Sequence, residues 1–158
     1  FRTSQHTHAG MMIANDDHQV LRFYDEVLGL QRWFDGERPY AQATGSRQIF
    51  GLEPDETHWM VDFDDPRSGH SLDARRSGKL KVVRFAASSR LADKLDRSRP
   101  GCLGLSLYTW RTSDLEGLWK LVQAGGATRV TDVLADEFGT RAFSFVAPDG
   151  YSWTLLQD

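Results

Sequence analysis

The sequence holds a single cysteine, Cys102, in 158 residues. That excludes an intrachain disulfide framework and any zinc or iron–sulfur cluster built on cysteines. Neither sign of charge dominates: 19 Lys and Arg stand against 22 Asp and Glu, a net charge of −3. A protein devoted to nucleic acid would show a basic face, so no nucleic-acid partner is expected. No apolar run approaches the ~18–20 residues that cross a bilayer, and the first residues lack the apolar stretch of a signal peptide. No membrane partner is expected, and the cytoplasm is the expected location. Gly-rich phosphate loops and Ser/His/Asp sets are missing too. Cys102 follows Pro100-Gly101 with nothing beside it to activate a nucleophile, and it receives no catalytic role.

What is present is an ordinary globular composition, 40% hydrophobic and 26% charged. A chain of this length forms one domain, or two small modules fused across one core. It buries roughly 68–70% of its unfolded surface and needs no staple to fold. Gly10–Ala14 reads as a first strand after His6 and His8. Asn15-Asp16-Asp17 then supplies an N-cap, and Val20, Leu21, Tyr24, Val27 and Leu28 recur at helical spacing up to Gly29. Gln31–Asp35 and Ala43–Phe50 read as strands. Residues Gly51–Gly78 are rich in Pro, Gly, Ser and charge around an apolar island at Trp59–Phe63, which predicts a long surface excursion with at most one short strand. Leu80–Ala86 is a strand by its β-branched content, and Ala87–Pro100 is a polar linker.

The order then recurs. Leu103–Trp110 is a strand and Thr112-Ser113-Asp114 a cap. Leu115, Leu118, Trp119 and Val122 mark an amphipathic helix closed by Gly125-Gly126. Thr128–Val133, Thr140–Val146 and Ser152–Leu156 are three further strands, the last two joined by the turn Pro148-Asp149-Gly150. Setting Gly29 on Gly126, an offset of 97 residues, also sets Asp17 on Asp114 and Leu21 on Leu118. The repeat predicts an α+β fold: two βαβββ modules forming a cupped mixed sheet with flanking helices. The first module spans 8–86 with an insertion at 51–78, the linker 87–100, and the second module 103–158.

His8 before a strand, Phe23-Tyr24 followed by Val27-Leu28-Gly29, and Ala147-Pro148-Asp149-Gly150-Tyr151 before the last strand together resemble the vicinal oxygen chelate superfamily. This is the superfamily of glyoxalase I, the bleomycin-resistance proteins and the extradiol dioxygenases. The resemblance runs from His8 to Asp158. It implies a divalent metal held by His and Glu side chains on the first, fourth, fifth and eighth strands. Position by position, those places fall on His8, Arg84, Leu105 and Thr154. A transition metal needs three or more converging N, O or S ligands. Arg84 cannot ligate and repels a cation, and Thr154 is a weak neutral donor. The expectation is therefore no metal and no other cofactor. His6 could replace His8 by a register slip of two, His18 reads as solvated, and His58 and His70 could fold over the cup from the excursion.

Period-2 alternation predicts that Met12, Arg84, Leu105, Leu107, Thr154 and Leu156 share the face of His8. This is an apolar wall with few polar anchors, as ligand sites are built. An Arg there suits a carboxylate, enolate or phenolate, while the aromatic residues, Trp33, Trp59, Tyr108, Trp110, Phe143, Phe145 and Trp153, read mainly as core. The expected function is metal-independent binding, or turnover, of a small aromatic or anionic molecule. His8 is the candidate catalytic group because its unperturbed pKa suits acid–base work near neutrality. Two alternatives stand beside it. One is a metal-dependent lyase, isomerase or ring-cleaving dioxygenase with ligands from His58 or His70. The other is the non-catalytic half of a larger four-module enzyme, since the chain opens at Phe1 rather than Met. Homodimerisation is expected from the pairing habit of the resembled fold.

Overall fold

The computed structural model describes residues 8–13, 18–39, 44–64, 79–85, 94–104 and 106–158. They fall into two compact units, divided at 16/17, 28/29 and 92/93. Each unit carries a four-stranded sheet. The first contains β1 (His8–Met12), β2 (Gln31–Pro39), β3 (Thr57–Asp64) and β4 (Lys79–Phe85), in the order β1-β4-β3-β2. The second contains β5 (Tyr108–Thr112), β6 (Leu134–Ala135), β7 (Arg141–Val146) and β8 (Ser152–Gln157), in the order β5-β8-β7-β6. In both, the outer first strand runs parallel to the fourth and the other pairs are antiparallel. The doubled order of the sequence is thus a doubled topology, mixed α+β as predicted.

In the first unit one face of the sheet is apolar and buried: Met11 on β1, Val61 and Phe63 on β3, and Leu80 and Val82 on β4. Two expectations are corrected here. The strand predicted over 43–50 is a short helix, α1 (Thr44–Phe50), which Gly51 ends at φ +63°. That stretch has few β-branched residues, and its Phe50 ring packs 5.0 Å from Phe85. Within the predicted excursion over 51–78, the short strand allowed around Trp59–Phe63 is the longer β3, which fills 57–64 and is buried at every residue after Thr57 rather than lying on the surface. His58, Asp62 and Asp64 give this strand a surface composition. It is nevertheless a central strand, covered on both sides, and Asp64 is neutralised by Lys79. Of the rest, 51–56 forms a turn closed by Glu53 N to Glu56 Oε2 at 2.8 Å, and 65–78 lie outside the described residues.

The second unit is built on aromatic packing. Tyr108, Phe143, Phe145, Trp153 and Leu155 alternate onto one buried face of the sheet. Against it lies the helical segment predicted after β1, so residues 17–28 belong to this unit and not to the first. The predicted regular helix is instead a 3-10 turn, His18–Leu21, followed by a π-helical stretch, Phe23–Val27. The wider stretch delivers Phe23 and Tyr24 to the sheet side by side: Phe23 packs 5.6 Å from Phe145, and Tyr24 packs 5.7 Å from Trp153. The helix α2 (Leu115–Ala124) starts where predicted, with Asp114 accepting from Gly117 N at 2.9 Å. Residues predicted as a strand over 128–133 meet β7 only through a bridge at Thr128 and hydrogen bonds between Thr131 and Ser144, and β6 is displaced to Leu134–Ala135.

Candidate functional site

The two sequence signatures meet physically. Tyr24, fully buried, donates to Asp149 Oδ2 at 2.5 Å, and the Tyr151 N–H donates to Asp149 Oδ1 at 3.2 Å. Burial lifts the Asp149 carboxyl to about 6, although both hydrogen bonds pull the other way. Burial, then the neighbouring Asp149 charge, also hold the Tyr24 phenol well above its ordinary value. Tyr108, next in the aromatic row, is raised to about 12 by burial and then by Tyr151. Gly150 closes the turn at φ +92°, and a Cβ there would meet Leu95 at 2.6 Å. These motifs fasten the helical segment and the last hairpin to one sheet, and so they make the fold. A groove of about 450 Å³ beside the segment, lined by Phe23, Val27, Gly125 and Pro148, has its charges paired with each other, Arg22 to Glu26 at 3.7 Å.

The other face of each sheet carries polar side chains. On the second sheet, opposite the aromatic core, Thr109, Thr154 and Ser144 stand in register across β5, β8 and β7. Thr154 and Ser144 are half-buried and share a 2.8 Å hydroxyl bond, while Thr109 is exposed. The next row holds Arg111, exposed, and Leu156, half-buried. Of the residues predicted to line a site, Thr154 and Leu156 are thus placed side by side on one face. Leu107 directly precedes β5 and is 45% exposed, and Leu105 lies outside the described residues. Because β5 starts at Tyr108, the fifth-strand position beside Thr154 is Thr109, not Leu105.

On the first sheet the predicted grouping changes. Met12 pairs in register with Val83, so Arg84 lies on the opposite face, with Met11 and Val82, beside Trp59. A one-residue shift in register exchanges the faces of a strand, and that shift separates Arg84 from Met12. The residues on Met12's face are Lys79, Lys81, Val83 and Phe85 on β4, and His58, Met60, Asp62 and Asp64 on β3. Lys79 Nζ is held by both oxygens of Asp64, at 3.0 and 3.1 Å, with side chains 4% and 0% exposed. The backbone of His8 pairs with Lys79; the His8 side chain, like all of His6 and His70, lies outside the described residues. Sequence reasoning missed this pair and Arg111. Continuing the period-2 pattern one residue past Trp110 would have found the latter.

Among the described residues, Arg84, Thr109 and Thr154, which stand where the resemblance implies ligands, do not make a metal donor set. On the face of Met12, β4 offers two ammonium groups and two hydrocarbons, and β3 offers His58, Asp62 and Asp64, the last of them already bound to Lys79; on β8 it is hydroxyls that are offered. His58 cannot join His8 on one ion, because it pairs with Phe85, six residues along β4 from Lys79. At ~3.3 Å per residue that is roughly 20 Å, against metal–nitrogen bonds of ~2.0–2.1 Å. Among the described residues no three His, Cys, Asp or Glu side chains are grouped to hold an ion.

A sequence model of the Glyoxalase/Bleomycin resistance protein/Dioxygenase superfamily matches residues 5–155. The chain belongs to this superfamily. Among solved structures, a glyoxalase family protein from Bacillus cereus is 18% identical at a TM-score of 0.74, over 99% of this chain and 95% of its own. A glyoxylase/bleomycin resistance protein/dioxygenase domain from Frankia sp. EAN1pec is 16% identical at 0.64, over 99% and 98%. A glyoxalase family protein from Enterococcus faecalis is 19% identical at 0.60, over 96% of each chain. At such identities the likeness is one of fold. No curated protein matches the sequence. For a superfamily whose members share a fold across many chemistries, function has to be argued from the residues on the open faces.

Proposed function

We propose that this superfamily member takes a small organic molecule, aromatic or anionic, without a metal ion. The observation that carries the reading is the set of residues at the positions where the superfamily resemblance implies metal ligands, Arg84 on β4, Thr109 on β5 and Thr154 on β8, none of them a carboxylate or an imidazole. The neutral hydroxyls at Thr154 and Ser144 point the same way. The face of the second sheet that carries Thr154, Ser144 and Leu156, a mixture of hydroxyls and hydrocarbon, suits a small ligand whose apolar body supplies most of the contact. If the molecule is turned over, His8 is the residue assigned to proton transfer, as the side chain that changes charge nearest neutrality.

Thermal unfolding of the full chain against small aromatic acids, with and without EDTA, tests this. A ligand at 100 times its Kd stabilises by about 2.7 kcal/mol. The expected result is a rise in Tm with at least one acid that EDTA leaves unchanged. A rise that appears only with added divalent ion contradicts it.

A further inference from the structure

The open face of the second sheet carries the observation that goes furthest. Its centre is a row of three hydroxyls across three strands, Thr109, Thr154 and Ser144. Within the 2.8 Å pair one hydroxyl donates and the other accepts, so the accepting group keeps its own O–H for a further partner. Thr109, exposed beside them, has a second. One step along β5, two residues on and so on the same face, stands Arg111. Its guanidinium makes one long contact, Nη1 to the Gln157 carbonyl at 3.5 Å, and no ion pair with a described residue. Leu156, in register with Arg111, and Ala142, in register with Leu156, supply hydrocarbon next to these donors. Each polar side chain of this arrangement can donate, and the one charge is positive. The fork of a guanidinium matches a planar carboxylate through two parallel N–H bonds.

We infer that this face is a carboxylate site: Arg111 and the hydroxyl row receive the acid group of a small organic acid whose apolar body lies along Leu156 and Ala142. The inference rests on the small-molecule reading above and adds the chemistry of the ligand. It also moves the anchoring cation from Arg84, which faces the other side of the first sheet, to Arg111.

Benzoate is the probe, titrated into the 15N-labelled full chain at constant ionic strength, with and without EDTA. Benzyl alcohol is the neutral control and inorganic phosphate the tetrahedral one. Saturable amide shifts are expected at Thr109, Arg111, Ser144 and Thr154 with benzoate, with benzyl alcohol and phosphate each weaker by about tenfold or more, the ratio that ~1.4 kcal/mol represents. Arg111→Gln, an exposed position whose loss leaves the fold intact, weakens benzoate by a similar factor, and Arg111→Lys restores part of it. Thr154→Val weakens it less, as loss of one neutral donor. Unchanged benzoate affinity in Arg111→Gln, phosphate binding as tight as benzoate, or no saturation at these amides overturns the inference. Benzyl alcohol binding as tightly as benzoate also overturns it, while leaving the small-molecule reading intact. The EDTA arm reports on metal independence separately.

Discussion

Tyr24 and Asp149 are separated by 125 residues in the chain and joined by a 2.5 Å hydrogen bond. A buried acceptor that loses its donor costs about 1–3 kcal/mol, so Tyr24→Phe is expected to lower the unfolding free energy by that amount in urea titration. The pH dependence follows from the raised carboxyl. Asp149 sits at about 6 in the folded chain against an ordinary 3.8. Well below pH 3.8 it is protonated in both states. Between pH 4 and 6 the unfolded chain ionises first, so stability falls as pH rises, and above about pH 6 the loss is complete. A tenfold change in the acidity of one group corresponds to about 1.4 kcal/mol. Asp149→Asn has no such titration, so the stability of the natural chain minus that of the variant is expected to decline from pH 4 to 6 and then level off. A flat difference would place the carboxyl in water.

At the scale of elements, β3 and β4 carry the least expected feature, the buried pair Asp64–Lys79. Removing one partner strands a charge: Asp64→Ala is expected to cost about 3–5 kcal/mol, whereas Asp64→Leu with Lys79→Met together should be near neutral. Chemical denaturation of the natural chain and these two variants checks this. At the head of α2, Asp114→Ala removes the acceptor for Gly117 N and is expected to cost about 1 kcal/mol. That cap was legible because an Asp before an amphipathic run has one physical use. β7 and β8 were legible for a similar reason, since their alternation is regular and Pro148-Asp149-Gly150 is a turn between them. β3 was only half legible, as an apolar island at Trp59–Phe63 allowing at most one short surface strand, because a strand covered on both faces does not alternate, and His58, Asp62 and Asp64 gave it the composition of a surface loop. The face of Arg84 was misjudged because register is fixed by pairing partners that one strand's sequence does not contain.

For the whole molecule, the doubled strand order and the two signature motifs were enough to point to the superfamily that residues 5–155 match. The motifs could do so because both serve packing: they bind the segment 17–28 to the second unit, a placement the linear order of modules does not convey. The candidate site was only partly legible. Thr154 and Leu156 do share an open face, but Arg111 and the Lys79 pair emerged only once partners across strands were known. On the proposed reading, this superfamily member works with fixed protein charges and hydroxyls where a metal ion would otherwise stand. Elemental analysis of the purified full chain, followed by calorimetric titration with Zn, Ni, Mn and Fe(II), puts that reading to its sharpest test. Substoichiometric metal and no saturable binding of any of the four ions are expected. One tightly held divalent ion per chain, lost in His8→Ala, would contradict it.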